Sequence, residues 1–351
     1  MLLGLTPTDF DIPTSATPSQ IKEYFERTVD TGIKHGTVTV IVDKTPVEVT
    51  TFRTEGDYND SRRPDSVHFV TNINEDLARR DFTVNAIAYN PEDKFVDSFG
   101  GIEDINTKTL RAVGNPKKRF SEDALRIMRL FRFASTLGFS IDCDTKNAAI
   151  ECSDTLKNIS VERIYAELKK LVSGKYLTLA QPLFETGALN YLGIGKLTNT
   201  DIMTNFSNQN LKFFAFIYFC CENTQETLRL LKASNKTKEY FKLLSICLDT
   251  KPQNKADIKR LLNKVLEPQI LFDTAEFLNA TKNKDYSFLV NTTKEIIQNK
   301  EPFKISDLAI TGDDLKQLGY EGKQIKERLE YLLERVIENK DLNQKNILIT
   351  L

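Results

Sequence analysis

The sequence predicts an α+β protein, with a mixed α/β segment over residues 1–112 and an all-helical remainder. Residues 36–53 hold two β-branched runs, Gly36-Thr37-Val38-Thr39-Val40-Ile41-Val42 and Val47-Glu48-Val49-Thr50-Thr51-Phe52-Arg53. They flank the turn Asp43-Lys44-Thr45-Pro46, which is the pattern of a hairpin. From about Lys146 onward, apolar residues recur at helical spacing almost throughout. A chain of 351 residues also exceeds one ordinary hydrophobic core, so about two to four structural units are expected.

Composition narrows the function. The chain is 40% hydrophobic and 28% charged, as a globular protein is. Its formal net charge of -1 provides no global basic excess, so a nucleic-acid partner would have to be held by a local patch. The cysteines, Cys143, Cys152, Cys220, Cys221 and Cys247, are odd in number and show no C-x-x-C spacing. They are expected as reduced core residues of a cytoplasmic protein. His35 and His68 are the only histidines, which excludes a histidine-rich metal site. The longest apolar run, Phe213 to Cys221, is too short to span a bilayer, and no basic n-region precedes an apolar stretch at the N-terminus, so no membrane association is expected.

In chain order, Pro7-Thr8-Asp9-Phe10-Asp11-Ile12 places two carboxylates two residues apart. As a strand it would point Asp9 and Asp11 the same way and Phe10 into the body. Two aligned carboxylates suit a hard divalent cation such as Mg²⁺, although by itself the spacing is commoner on a solvated turn. Thr14-Ser15-Ala16-Thr17-Pro18 then leads into a short capped helix around Ile21 to Phe25. In the hairpin, Glu48 faces away from Val47 and Val49, so it is either solvent-exposed or placed to meet a cation. Arg53 to Pro64 is polar and punctuated by Gly56 and Pro64, the pattern of a mobile loop. Asn74 to Tyr89 has helical spacing, with Arg80, Asp81 and Asn85 clustered in little more than one turn and Asp81 and Asn85 on one face. An ion pair explains Arg80 with Asp81, but less readily the whole cluster.

The loop Asp97-Ser98-Phe99-Gly100-Gly101 leads to Leu110-Arg111-Ala112-Val113 and then to the basic run Lys117-Lys118-Arg119. A helix is expected next, with Ser121 as N-cap, Glu122 and Asp123 in its first turn, and Gly138 at its C-terminus. Along it Asp123, Arg126, Arg129 and Arg132 recur every three residues. Such a stripe is either a solvated face or, with three arginines and few acids nearby, a surface that repels itself unless an anion binds. Further helices follow: a capped one over Ser160 to Leu168, a buried aromatic one over Phe213 to Phe219, and an amphipathic one over Ala256 to Val265. The glycine-punctuated turn Ile310 to Gly322 feeds a long helix with Ile325, Leu329, Leu332, Leu333 and Val336 on one face.

Four segments in this order carry a resemblance: Leu2-Leu3-Gly4-Leu5-Thr6-Pro7-Thr8-Asp9-Phe10-Asp11, the hairpin with Glu48, Arg79-Arg80-Asp81-Phe82-Thr83-Val84-Asn85-Ala86, and Glu122-Asp123-Ala124-Leu125-Arg126. Together they resemble the class II tRNA nucleotidyltransferases and bacterial poly(A) polymerases, most of all the bacterial CCA-adding enzymes. The Gly312 to Val336 segment adds a looser likeness. The resemblance implies a nucleotidyltransferase head over 1–112, a helical neck with the nucleotide-selecting helix over 113–176, a helical body over 177–265 and a tRNA-binding tail over 266–351.

It also implies residue roles. Asp9 and Asp11 would hold Mg²⁺, with Glu48 as the third catalytic acid, so that the metal activates the RNA 3′-hydroxyl and steadies the triphosphate. Arg80, Asp81 and Asn85 would clamp ribose and phosphate. Asp123 and Arg126 would select the nucleotide, and Arg129 and Arg132 would face the triphosphate or the RNA end. The implied partners are tRNA, CTP and ATP, with a homodimer left open. The implied activity is template-independent addition of CCA to tRNA. The loop with Asp60-Ser61-Arg62-Arg63-Pro64 resembles that of enzymes able to switch from C to A, which favours CCA over A-only or poly(A) addition. Against this, family members carry a strand, a Gly-Gly turn and an Arg-Asp pair just ahead of the Leu-Leu-Gly found here at Leu2. Their absence from this sequence predicts impaired triphosphate binding, with a catalytically impaired tRNA-binding module as the alternative.

Overall fold

The computed structural model of the chain describes all residues except 1, 5, 7–9, 57–66, 93 and 283. It divides into two compact units, one of Met1–Thr204 with Phe216–Lys232 and one of Asn205–Ala215 with Ala233–Leu351.

In the first unit, β1 (Asp11–Thr14) is followed by α1 (Pro18–Tyr24), β2 (Thr28–Gly32), β3 (Thr37–Val42) and β4 (Thr45–Thr51). The four strands form one sheet in the order β1-β4-β3-β2. The expected hairpin is β3–β4, and its two linking residues, Asp43 and Lys44, both take positive φ as a tight turn with this twist requires. Thr17 caps α1, its side chain accepting the Gln20 N–H, with Pro18 in the first turn. Ile21 of α1 packs on Val38, Val40 and Val49 and so covers one face of the sheet. Alternation sends Thr39 and Glu48 to the other face, and parallel pairing of β1 with β4 sets Asp11 directly opposite Glu48 there. Phe10, expected to point into the body, is 70% exposed. Phe10 itself is not in the pairing with β4, which among the described residues runs over Asp11–Thr14, so the alternation that would turn it inward is not imposed on it. Asp9 lies outside the described residues.

The segment expected as a mobile loop begins as a strand, β5 (Arg53–Glu55), which pairs antiparallel with β6 (Val67–Phe69). Residues 57–66 between them, Asp60, Arg62 and Arg63 included, lie outside the described residues. The helix expected over Asn74 to Tyr89 is only α2 (Ile73–Ala78). The chain then makes a single 3-10 turn at Thr83–Asn85 and enters β7 (Ala88–Asn90), which pairs with β8 (Lys94–Val96). Long-range pairing overrides the helical period here. Thr83 N–H donates to Arg111 O, Val113 N–H donates to Asp81 O, and Phe82 bridges Ala112. Behind this stretch Leu77, Ala86 and Val113 form a small core.

Then come α3 (Gly101–Asn106), β9 (Thr109–Leu110), α4 (Pro116–Glu122), α5 (Leu125–Leu137), β10 (Ser140–Ile141), α6 (Cys143–Glu151) and α7 (Val161–Val172). Gly101 admits no side chain, since a Cβ would stand 2.2 Å from Thr83 O. The helix expected from Ser121 to Gly138 is two helices. Asn115 caps α4, Ser121 lies in its last turn and donates to Lys118 O, and the break falls at Asp123, whose backbone is extended. Gly138 does close α5, in the left-handed conformation. The apolar side of α5, with Leu130, Phe131 and Ala134 fully buried, packs against α7. Cys143 departs from its expected core placement: it opens α6 and is exposed, whereas Cys220 and Cys247 are buried.

The second unit is helical among its described residues. Phe206, Phe213, Phe214, Phe241 and Phe277 join in a run of ring contacts. Towards the C-terminus, Leu332, Leu333 and Val336 of helix Lys323–Glu338 are buried with Ile310, Leu315 and Leu348, as their spacing requires. No helix among the described residues is long and apolar enough to cross a membrane.

A buried carboxylate gathers three lysines in this unit. Glu301 is 4% exposed, and its carboxylate accepts Lys255 Nζ at 2.6 Å and Lys259 Nζ at 2.9 Å, with Lys340 Nζ at 3.5 Å. Burial opposes its ionisation, but the hydrogen bonds and charges of Lys255 and Lys259 pull the carboxyl from 4.5 down to about 2. Its stabilising contribution is therefore complete above about pH 4.5 and lost as pH falls towards 2. Glu301→Gln leaves Lys259 buried without its charge partner, and chemical denaturation at pH 7 will show a loss of about 3 kcal/mol. The variant will also lose less stability than wild type between pH 5 and pH 2.

Candidate functional site

The first unit contains a cavity of about 450 Å³. Arg79, Arg80, Asp81 and Asn85 form one side, Asp123, Leu125, Arg126, Arg129 and Phe133 another, and Arg163 of α7 completes it. The break at Asp123 and the early end of α2 are what bring these two sides together, since each turns polar residues off a helix end and into the cavity. Five arginines against two aspartates line the space, which makes it suited to an anionic ligand.

Of the residues singled out for nucleotide contact, Arg80, Asp81, Asn85, Asp123, Arg126 and Arg129 share this cavity. Arg132 does not line it. That side chain pairs with Glu167 of α7 at 2.6 Å and lies over the Phe133 ring at 3.8 Å from its centroid. Arg79, Phe133 and Arg163 line the cavity without having been assigned a role from sequence. Arg79 adjoins Arg80, so its neighbourhood was visible; no local pattern marks Arg163, which reaches the site only because α7 packs on α5.

The arginine stripe is not self-repelling, contrary to the expectation from sequence. Arg126 donates to Glu122 at 2.7 Å, Arg129 to Asp81 at 2.6 Å, and Arg132 faces Glu167. Two of those acids come from distant parts of the chain, which is why the stripe looks unbalanced in sequence. Asp81, 7% exposed, also accepts Asn85 Nδ2 at 3.0 Å and the Phe82 N–H at 2.9 Å. Burial alone would raise its carboxyl, but the Arg129 guanidinium and these hydrogen bonds hold it below its ordinary value. Asp123 accepts the Leu125 N–H on one oxygen and Arg163 at 2.8 Å on the other. Arg126 further donates to the carbonyl oxygens of Arg119 and Arg79.

Asp11 and Glu48 stand opposite each other on the sheet face that α1 leaves open, and both are exposed. Thr50 Oγ1 donates to Asp11 at 3.3 Å. Two oxygen ligands on adjacent strands fit a hard divalent cation. Among the described residues no group of three or more His, Cys, Asp or Glu is gathered for a metal, and Asp9 is not among those residues.

Three family models match the chain: the Poly A polymerase head domain over residues 1–111, the RNA and SrmB binding site of polymerase A over 138–193, and tRNA nucleotidyltransferase domain 2 over 204–351. The CCA-adding enzyme of Ligilactobacillus salivarius is 37% identical over 361 residues, covering 99% of this chain and 88% of its own length. The chain belongs to the CCA-adding tRNA nucleotidyltransferase family. Within that family, the Geobacillus thermodenitrificans CCA-adding enzyme is 51% identical over 193 residues, 55% of this chain and 48% of the relative. The crystal structure of Bacillus stearothermophilus CCA-adding enzyme in complex with CTP superposes with a TM-score of 0.84 at 31% identity, covering 98% of this chain and 88% of that one. The family's α+β plan, a mixed head and helical remainder, is the one described above.

The pairing of Asp81 with Arg129 has a measurable signature. Because folding holds this carboxyl below the 3.8 of an ordinary aspartate, its contribution to stability is complete above that pH and is lost as pH falls through the lowered folded value. Asp81→Ala will cost about 3 kcal/mol at pH 7 by urea denaturation. Its stability will fall less steeply than wild type below pH 4.

Proposed function

We propose that this chain is a tRNA nucleotidyltransferase that adds C, C and A in turn to the 3′ end of tRNA, using CTP and ATP without a nucleic-acid template. The observation that carries this is the placement of Asp123 and Arg126 on the wall of a cationic cavity, in a chain matched over nearly all its length by a CCA-adding enzyme.

The chemistry of that pair explains base choice. Cytosine and adenine each present an amino donor beside a ring-nitrogen acceptor on the pairing edge, whereas guanine and uracil present the reverse. A carboxylate only accepts and a guanidinium only donates. Asp123 and Arg126 can therefore satisfy C and A, and they leave buried groups unpaired against G and U. The protein does the work of a template.

Other residues take supporting roles in the same reading. The arginine surplus of the cavity suits a triphosphate, and Arg80 keeps its buried Nε–H without an acceptor among the described residues, a donor ready for phosphate or ribose. Arg129 and Asn85 are held at the cavity through Asp81. Arg132, turned to Glu167, supports α5 from behind. Asp11 and Glu48, with Asp9, would hold Mg²⁺, which when bound supplies activation of the RNA 3′-hydroxyl and charge neutralisation on the phosphates. The division into a head over 1–112, neck over 113–176, body over 177–265 and tail over 266–351 belongs to this proposal. It is supported by the three family matches, which fall over 1–111, 138–193 and 204–351. Contacts to the tRNA backbone would make binding weaken with salt.

Incubating the purified chain with tRNA that ends at its discriminator base, together with CTP, ATP and Mg²⁺, will yield a three-nucleotide extension reading CCA. Extension by A alone, or none with any nucleotide, would overturn the proposal. The base-choice mechanism has its own check: Asp123→Ala will raise misincorporation of U and G relative to C on the order of tenfold or more, while tRNA affinity changes little. Equal losses in selectivity and tRNA binding would refute the protein-template role of Asp123.

A further inference from the structure

The aspartate that organises the cavity's arginines is not in the cavity. Asp76 of α2 is 2% exposed. One of its carboxylate oxygens accepts Arg79 Nη2 at 2.7 Å and Arg79 Nε at 3.0 Å, and also the backbone N–H of Arg53 at 3.2 Å. The other accepts Arg80 Nη2 at 3.3 Å. Arg79 Nε in turn donates to Arg53 O at 3.1 Å, and Arg79 O accepts Arg126 Nη2 at 3.1 Å. A single buried carboxylate thus anchors two cavity-lining guanidiniums and bonds to the backbone where β5 begins. It reaches a third guanidinium, Arg126, through the Arg79 carbonyl.

We propose that Asp76 is a positioning residue of the nucleotide site, fixing Arg79 and Arg80 at the cavity wall and tying that wall to the foot of the β5–β6 hairpin. This inference rests on the function proposed above. Two physical points support it. Five arginines around one cavity repel one another and disperse unless carboxylates hold them. Of the cavity arginines, Arg126, Arg129 and Arg163 are paired with Glu122, Asp81 and Asp123, and among the described residues Asp76 pairs with both Arg79 and Arg80. In addition, Asp76 accepts a backbone N–H from β5, so the position of the arginines is referred to the backbone of the β5–β6 hairpin and not to flexible side-chain stems.

Asp76→Asn keeps the size of the side chain and removes its charge. Equilibrium binding of CTP to the full chain, with thermal unfolding alongside, separates positioning from bulk stability. The expected result is a loss of CTP affinity of about tenfold in Asp76→Asn, with partial recovery in Asp76→Glu. The decisive comparison is a mutant cycle against the Arg79→Ala/Arg80→Ala background: there Asp76→Asn will cost less than a further twofold, because both residues through which it acts are already gone. An unchanged CTP affinity in Asp76→Asn, or an additive loss in the combined variant, would overturn the inference while leaving the function intact. Should Asp76→Asn fail to fold, Asp76→Glu in the same cycle decides between the same two outcomes. If wild type itself neither binds CTP nor extends tRNA, the functional proposal fails, and this inference with it.

Discussion

The cavity of the first unit depends on pairing between guanidinium groups and carboxylates around it. A site for a polyanion needs a high density of positive charge, and such a density is unstable in the empty protein. The fold answers with one acid per arginine or arginine pair: Asp76 for Arg79 and Arg80, Glu122 for Arg126, Asp81 for Arg129, Asp123 for Arg163 and Glu167 for Arg132. The acids are mostly buried and sit behind the arginines or beside them. The planar fork of each guanidinium is thereby oriented before any ligand arrives. Asp81 and Asp123 line the cavity themselves while paired with Arg129 and Arg163, so the residue proposed to read the base, Asp123, is held by a neighbouring helix.

The small sheet solves a different problem, that of presenting carboxylates on a rigid support without burying them. Ile21 covers one face, and the strict alternation of β3 and β4 leaves the other to Thr39, Glu48 and, across the parallel pairing with β1, Asp11. A one-residue slip of register would exchange the faces and put Glu48 against Ile21. Burial of Val38, Val40 and Val49 is what specifies that register. Core packing and the placement of the candidate metal ligands are one constraint here. The second unit uses charge otherwise: Glu301 and Lys259 pair in the interior, with Lys255 reaching the same carboxylate from a more exposed position.

Much of this was visible in the sequence. The hairpin, the exposed Glu48, the capped α1, the helical second half and the apolar face of Lys323–Glu338 follow from local periodicity and caps, and local rules are what a single sequence states most clearly. The motifs around Arg80, Asp81, Asn85, Asp123 and Arg126 were also apparent, and the structure gathers all five at one cavity. Where the reading failed, a distant partner had overruled a local preference. The period over Asn74 to Tyr89 is helical, but Thr83, Asp81 and Phe82 pair with Arg111, Val113 and Ala112. Ser121 has the chemistry of a cap, yet Asn115 starts the helix earlier and Asp123 interrupts it.

By itself, then, the sequence determined the α+β plan, the order of the motifs and the residue types able to meet a cation, a phosphate and a base edge. It did so because strand alternation, helix capping and side-chain chemistry are properties of neighbouring residues. Only the tertiary structure decided which arginines face the cavity and which are turned away. Arg132 and Arg129 lie one turn apart on the same helix, yet Glu167 draws one aside and Asp81 holds the other at the site. The same holds for Arg163, whose importance lies in a partner brought from another element, and for the bond by which Asp76 accepts the Arg53 N–H. Charge pairing acts through space, and the spacing of residues along the chain does not record it.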